Sequence, residues 1–271
     1  MSRTDPPTHT ATFVLSTGRC GTQWIASALG DAFPHLLHVT HEPIHNGYEP
    51  RNARAAKAVP AVVTKHLDRI EEILENQSYL ECGHPAWSSL PAIAARFPGR
   101  FRIIHLTRHP VPCSYSWLTH GAFQTPLLPH LPPKDLLVPT DPGVLYPGYS
   151  PHWETLSPYE KCIYYWCEVN GFALRLETEL GVPWLRLRSE DLFKGDGLAA
   201  MLAFLDLPTD TGKIPPHGEV VDRFQYLSGI WTEWQTILSH PRALQIAGEL
   251  GYNFDGIDES ALKRRYLGTV C

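Results

Sequence analysis

Residues 12–30, TFVLSTGRCGTQWIASALG, hold the feature that most constrains this chain. TFVLS is apolar without alternation, the pattern of a strand buried on both faces, and such strands belong to parallel sheets covered by helices. The strand runs at once into a turn bracketed by Gly18 and Gly21 and then into a helix-patterned stretch. A turn of this kind points its backbone N–H groups at one place, and the helix start adds a positive dipole end. The two glycines allow close backbone approach, and Arg19 offers forked donors suited to an oxyanion. Thr17, Gly18, Arg19, Cys20, Gly21 and Thr22 are therefore candidate residues of an anion site. An NTP-hydrolysing loop needs a lysine and a Ser/Thr hydroxyl for Mg²⁺, and no Gly-Lys-Ser/Thr follows here. A phosphatase loop of the C-x5-R type fails as well, because Ala26 occupies the arginine position.

Strand-like runs recur at 36–40, 61–64 (AVVT), 78–81, 101–107 and 183–188. Helical patterns lie between them, at 21–32, 67–76, 89–97, 111–120, 157–180 and 198–206. This alternation predicts an α/β fold with a P-loop-like central parallel β-sheet flanked by helices. Helical stretches at 228–239 and 241–250 are expected to form a C-terminal helical cap. The 271 residues are expected to make a single domain, 1–271, with a flexible polar N-terminus at 1–10. Residues 121–156 carry eight of the 25 prolines and the aromatics Phe123, Tyr146, Tyr149 and Trp153. A long insertion with that aromatic content is expected to be an ordered lid over an acceptor site.

The net charge of −5 argues against a general nucleic-acid or anionic-membrane surface, so any anion site is built from a few placed groups. There is no apolar signal region and no run near the ~18 apolar residues of a membrane span, so a soluble, cytoplasmic protein is expected. The six cysteines show no CxxC and read as free thiols. Among the 14 histidines, HLLHVTHEPIH at 35–45 invites a metal reading. A strand there puts His35 and His38 on opposite faces, and no metal site is expected.

A second strand-to-helix element, IIHLTRHPVPCSYSWL at 103–118, ends its strand at Thr107. Arg108 follows, and Pro110 suits the first turn of a helix. Ser114 and Ser116 lie six and eight residues beyond Arg108, where an arginine and a helical serine can grip one phosphate from two sides.

Together the two elements resemble the PAPS-dependent sulfotransferases (PAPS is 3′-phosphoadenosine 5′-phosphosulfate). Arg19, Cys20, Gly21, Thr22, Gln23 and Trp24 match the K-S-G-T-T-W of cytosolic members, and the arginine is closer to the R-S-G-S/T of bacterial and carbohydrate members. Arg108 and Ser116 reproduce the family's R-x7-S spacing. RLRSEDLF at 186–193 is similar to the R-Y-E-D-L element with Ser189 in place of the tyrosine, and 227–252 resembles the C-terminal region. The resemblance implies that the first element binds the 5′-phosphosulfate and the second the 3′-phosphate, with PAP as product and no metal. It also implies that Trp24 stacks on adenine, while its helical spacing with Ile25, Ala28 and Leu29 equally fits a core tryptophan.

For the base that takes the acceptor's proton, the resemblance offers two residues. Glu42, in an E-P context 23 residues beyond Arg19, matches the glutamate of bacterial and carbohydrate members. His84, 24 residues before Arg108, matches the histidine of cytosolic ones. The arginine-type loop favours Glu42. The activity so implied is sulfuryl transfer to a hydroxyl or amine of a small-molecule or carbohydrate acceptor. The alternatives are a nucleotide kinase or NTPase on the same architecture, and a non-catalytic nucleotide-binding module.

Overall fold

The computed structural model describes residues 9–44, 61–83, 85–124, 136–194, 196–210, 212, 214–216 and 232–266. The chain divides into two compact units, Met1–Thr107 with Ala173–Gly218, and Arg108–Phe172 with Glu219–Cys271.

The first unit is built on a parallel sheet of β1 (Ala11–Leu15), β2 (Leu37–His41), β3 (Ser78–Cys82), β4 (Phe101–Thr107) and β5 (Trp184–Arg188), in the order β2-β3-β1-β4-β5. All five residues of β1 are buried, as its unbroken apolar run requires. On one face Val14, Leu80, Cys82, Ile104 and Leu106 pack with Ile25, Ala28 and Leu29 of α1 (Thr22–Ala32). Met201 and Leu202 of α7 (Asp196–Phe204) complete that cluster. On the other face Phe13 meets Tyr79 and Phe101, with ring centroids 6.0 and 5.5 Å apart. After β1 the chain runs to the sheet edge at β2, returns through β3 and crosses β1 to reach β4. The order therefore reverses at β1, and in open α/β sheets ligands bind beyond the carboxyl ends of the strands at such a reversal.

The run AVVT at 61–64 is not a strand but the first turn of α2 (Ala61–Ile73). Its β-branched residues suggest a strand, yet Val63, Leu67 and Ile70 recur at helical spacing and are the buried residues of the helix. The period of the apolar positions outweighs the propensity of the individual residues. Among the described residues this unit also holds a 3-10 helix at Pro85–Ser89 and the helices α3 (Leu90–Arg96) and α6 (Ser189–Lys194), the latter directly after β5.

The second unit holds α4 (Pro110–Thr119), α8 (Pro241–Glu249), α9 (Glu259–Tyr266) and most of α5 (Pro158–Leu180), inside which the division falls. The expected helix at 228–239 is a 3-10 helix at Trp234–Ser239, and residues 228–231 lie outside the described residues. Part of the proline-rich insertion is well anchored. Buried Glu168 accepts from the N–H groups of Leu145 and Tyr146 at 2.9 and 2.7 Å. The Tyr146 hydroxyl occupies the space left by Gly171, where an added Cβ would lie 2.2 Å from it. A 3-10 helix at Pro147–Thr155 follows, and its Trp153 packs between Phe123 and Tyr164.

Candidate active site

Beyond β1 the backbone turns through three left-handed residues in four, Gly18 (φ 74°), Arg19 (φ 59°) and Gly21 (φ 98°). The turn is held from inside. Gly18 N–H donates to Ser16 Oγ at 3.0 Å, and the Gly18 carbonyl accepts from Thr17 Oγ1 at 2.9 Å and Cys20 Sγ at 3.2 Å. Thr17 and Cys20 are buried, whereas Arg19 between them is half-buried. Gly21 precedes α1 and brings no side chain to cap the helix start. It must be glycine on two counts: its φ is left-handed, and an added Cβ would stand 2.3 Å from Phe193 Cζ. Phe193 also meets Trp24 edge-on at 5.4 Å, so Trp24 is half-buried against the core cluster, while Gln23 is exposed.

Ser189 supplies a brace for which its place in the sequence offers no clue. Its buried hydroxyl lies 2.8 Å from the carbonyl oxygen of Cys20 and 2.9 Å from that of Thr107. One hydroxyl thus ties the loop after β1 to the end of β4. Ser189, at the start of α6, is a structural support of the loop.

The end of β2 is drawn to the start of α1 by Thr22 Oγ1 and His41 Nε2, 3.3 Å apart. Glu42 follows in a left-handed conformation (φ 46°), its N–H donating to the Cys82 carbonyl at 3.0 Å. Gly83 makes room for it, since a Cβ there would lie 2.5 Å from Glu42 Cγ. Two residues earlier, Thr40 bonds the Tyr79 hydroxyl at 2.6 Å, and Tyr79 donates to Glu81 Oε2 at 2.8 Å. Glu81 Oε2 also pairs with His66 Nε2 at 2.6 Å. Burial first, and then the Glu81 charge, push the Tyr79 phenol far up, which keeps its proton on this bond. His84 lies outside the described residues.

Among the described residues four non-glycine positions have positive φ: Arg19, Glu42, Phe123 and Asp206. The first two are among the charged residues that the sequence and its family resemblance mark for chemistry. A left-handed non-glycine residue costs on the order of 1 kcal/mol or more, and such strain concentrates at functional sites.

Arg108 and Ser116 belong to the second unit. The Arg108 carbonyl accepts from Trp166 Nε1 at 3.0 Å, and its guanidinium donates to the Tyr266 hydroxyl at 2.8 Å. His109 caps α4: its Nδ1 accepts from Val111 N–H at 3.2 Å, and its Nε2 donates to the Asn253 carbonyl at 2.8 Å. Those partners select the neutral Nε2–H tautomer. Ser114 and Ser116 are both buried, and two positions apart on a helix they point to different sides.

Among the described residues no group of three or more His, Cys, Asp or Glu side chains could hold a metal ion. His38 stacks on Tyr79 at 5.9 Å and His41 contacts Thr22. Cys20, Cys82, Cys113, Cys162 and Cys167 are buried and in no disulfide. No described helix is long and apolar enough to cross a membrane.

No protein-family model matches the sequence, and no curated protein sequence is significantly similar to it. Solved structures are similar in fold. The sulfotransferase domain of the Synechococcus PCC 7002 olefin synthase aligns over 93% of this chain and 98% of its own, at 15% identity and a TM-score of 0.50. The sulfotransferase from Alicyclobacillus acidocaldarius aligns over 96% of this chain and 100% of its own, at 14% identity and a TM-score of 0.51. The chain has the P-loop-like α/β fold of the sulfotransferases.

Proposed function

We propose that this protein is a PAPS-dependent sulfotransferase whose acceptor is a hydroxyl or amine of a small molecule or carbohydrate. The observation that carries this reading is the coincidence of strain and charge at Arg19 and Glu42, one in the glycine turn and one at the adjoining end of β2. The turn and the start of α1 suit the 5′-phosphosulfate, with Arg19 balancing charge on the phosphate oxygens as they depart. Arg108 and Ser116 take the 3′-phosphate. The acceptor oxygen or nitrogen attacks sulfur, the bond from sulfur to the bridging phosphate oxygen breaks, and PAP leaves with the electron pair. Glu42 receives the acceptor's proton, with His84 as the second candidate for that step. Phe123, Tyr146, Tyr149 and Trp153 of the proline-rich insertion contribute to the acceptor enclosure. A single domain acting in the cytoplasm fits this role.

A nucleotide kinase or NTPase is the competing reading, and the loop sequence disfavours it because no lysine follows Cys20-Gly21. Thermal denaturation separates the two. A ligand present at 100 times its Kd stabilises by about 2.7 kcal/mol, so PAP without added metal should raise Tm strongly. A larger shift with ATP and Mg²⁺ would sink the sulfotransferase reading. PAPS with a panel of phenols, alcohols, amines and sugars, read as PAP release, then identifies the acceptor class.

A further inference from the structure

We infer that Tyr266, the last residue of α9, is a positioning residue that sets how tightly the nucleotide's 3′-phosphate is held. This rests on the assignment of Arg108 and Ser116 to that phosphate. The Tyr266 hydroxyl is 2.8 Å from Arg108 Nη2 and 2.9 Å from the Pro112 carbonyl. Guanidinium only donates and a carbonyl only accepts, so the direction of both bonds is set. The phenol oxygen receives Arg108's N–H and sends its own proton to Pro112. With that proton committed, Tyr266 is no ligand of the phosphate; it acts on the residues around it.

Both contacts bear on the proposed grip. The first orients the Arg108 guanidinium, while Trp166 Nε1 holds the same residue's carbonyl. The second falls on the carbonyl that an α-helix directs at the amide four residues on, which in α4 is Ser116. One hydroxyl thus links the arginine to the helical turn that carries the serine. Tyr266 is itself well fixed, buried at 4% exposure with its ring stacked on Tyr115 at 5.6 Å and 21°. The Tyr115 phenol is in turn bonded to the Thr232 carbonyl.

Tyr266→Phe keeps the ring and the stack and removes the hydroxyl alone. The test compares the affinities of wild type and variant for PAP and for AMP, which lacks the 3′-phosphate. PAP should bind about tenfold more weakly to the variant, the effect of losing one hydrogen bond to a charged group. AMP binding should change by less than about twofold. In an Arg108→Ala background the same substitution should cost PAP affinity clearly less than in wild type, since the contact through the guanidinium is already gone and only the one to Pro112 remains. Equal weakening of PAP and AMP, or an unchanged PAP/AMP ratio in the folded variant, overturns the role of Tyr266 and leaves the sulfotransferase reading intact. Wild-type protein that prefers PAP over AMP by nothing removes that reading, and this role with it.

Discussion

The turn after β1 and the turn after β4 both lead from a buried strand into a helix, yet they are made in different ways. The first is shaped by backbone. Its curvature comes from three left-handed residues, the Thr17 and Cys20 side chains donate to the Gly18 carbonyl, and Ser189 clamps it through main-chain oxygens. The second is shaped by side chains. His109 caps the helix, Trp166 holds the Arg108 carbonyl, and Tyr266 holds the Arg108 guanidinium. A backbone-built turn depends on glycines and tolerates change in the side chains that only line it. A turn built by side chains depends on distant residues, and those partners leave no local signature.

Substitutions can break or sharpen this contrast. The largest effect is expected for Arg19→Ala, the one charged side chain of the first turn. Turnover should fall by about 10²–10³-fold, as for loss of one donor to developing charge, measured as initial rates at saturating PAPS. A smaller fall would mean that the backbone amides alone carry the leaving phosphate. Glu42→Gln should reduce turnover by at least about a hundredfold while PAP affinity is retained. Unchanged turnover removes Glu42 from the mechanism and passes the proton to His84.

Ser189→Ala should lower stability by about 1–2 kcal/mol, since two buried carbonyls lose their shared donor. Chemical denaturation reads that change directly. On the proposed assignment of the loop after β1 to the 5′-phosphate, PAP and AMP binding should weaken together; loss confined to PAP would contradict the brace. The smallest effect is expected for Cys20→Ser. A serine hydroxyl can donate to the Gly18 carbonyl as the thiol does, and stability and turnover should stay within about 1 kcal/mol of wild type. A large loss would show that the thiol's size, rather than its bond, sets the turn.

Legibility in the sequence followed how local each cause is. The strand, turn and helix at 11–32 could be read because an apolar run, two glycines and an apolar helical stripe are neighbours in the chain. AVVT was misleading because β-branched residues signal a strand within four residues, while the helical period needs eight or more to declare itself. Helix α9, ESALKRRY, escaped notice because it is short and highly charged and buries mainly its last residue, Tyr266. The bond from Tyr266 to Arg108 spans 158 positions, and no local pattern announces it. Ser189 shows the same limit from the other side: its place after β5 was legible, and its two carbonyl partners, 169 and 82 residues away, were not.

By itself the sequence determined the α/β class, the buried central strand and the position of the glycine turn. It also singled out Arg19 and Arg108 as charges placed just beyond strands, while Glu42 was marked by the resemblance to the sulfotransferases. The class, the strand and the turn follow from hydrophobic period and from the backbone freedom of glycine, which act within a few residues. Tertiary structure alone decided that Arg19 and Glu42 are held in left-handed conformations, that Ser189 clamps the turn, and that Tyr266 holds Arg108. Such features depend on groups brought together by packing, and the energy that maintains them comes from the whole unit in which they sit.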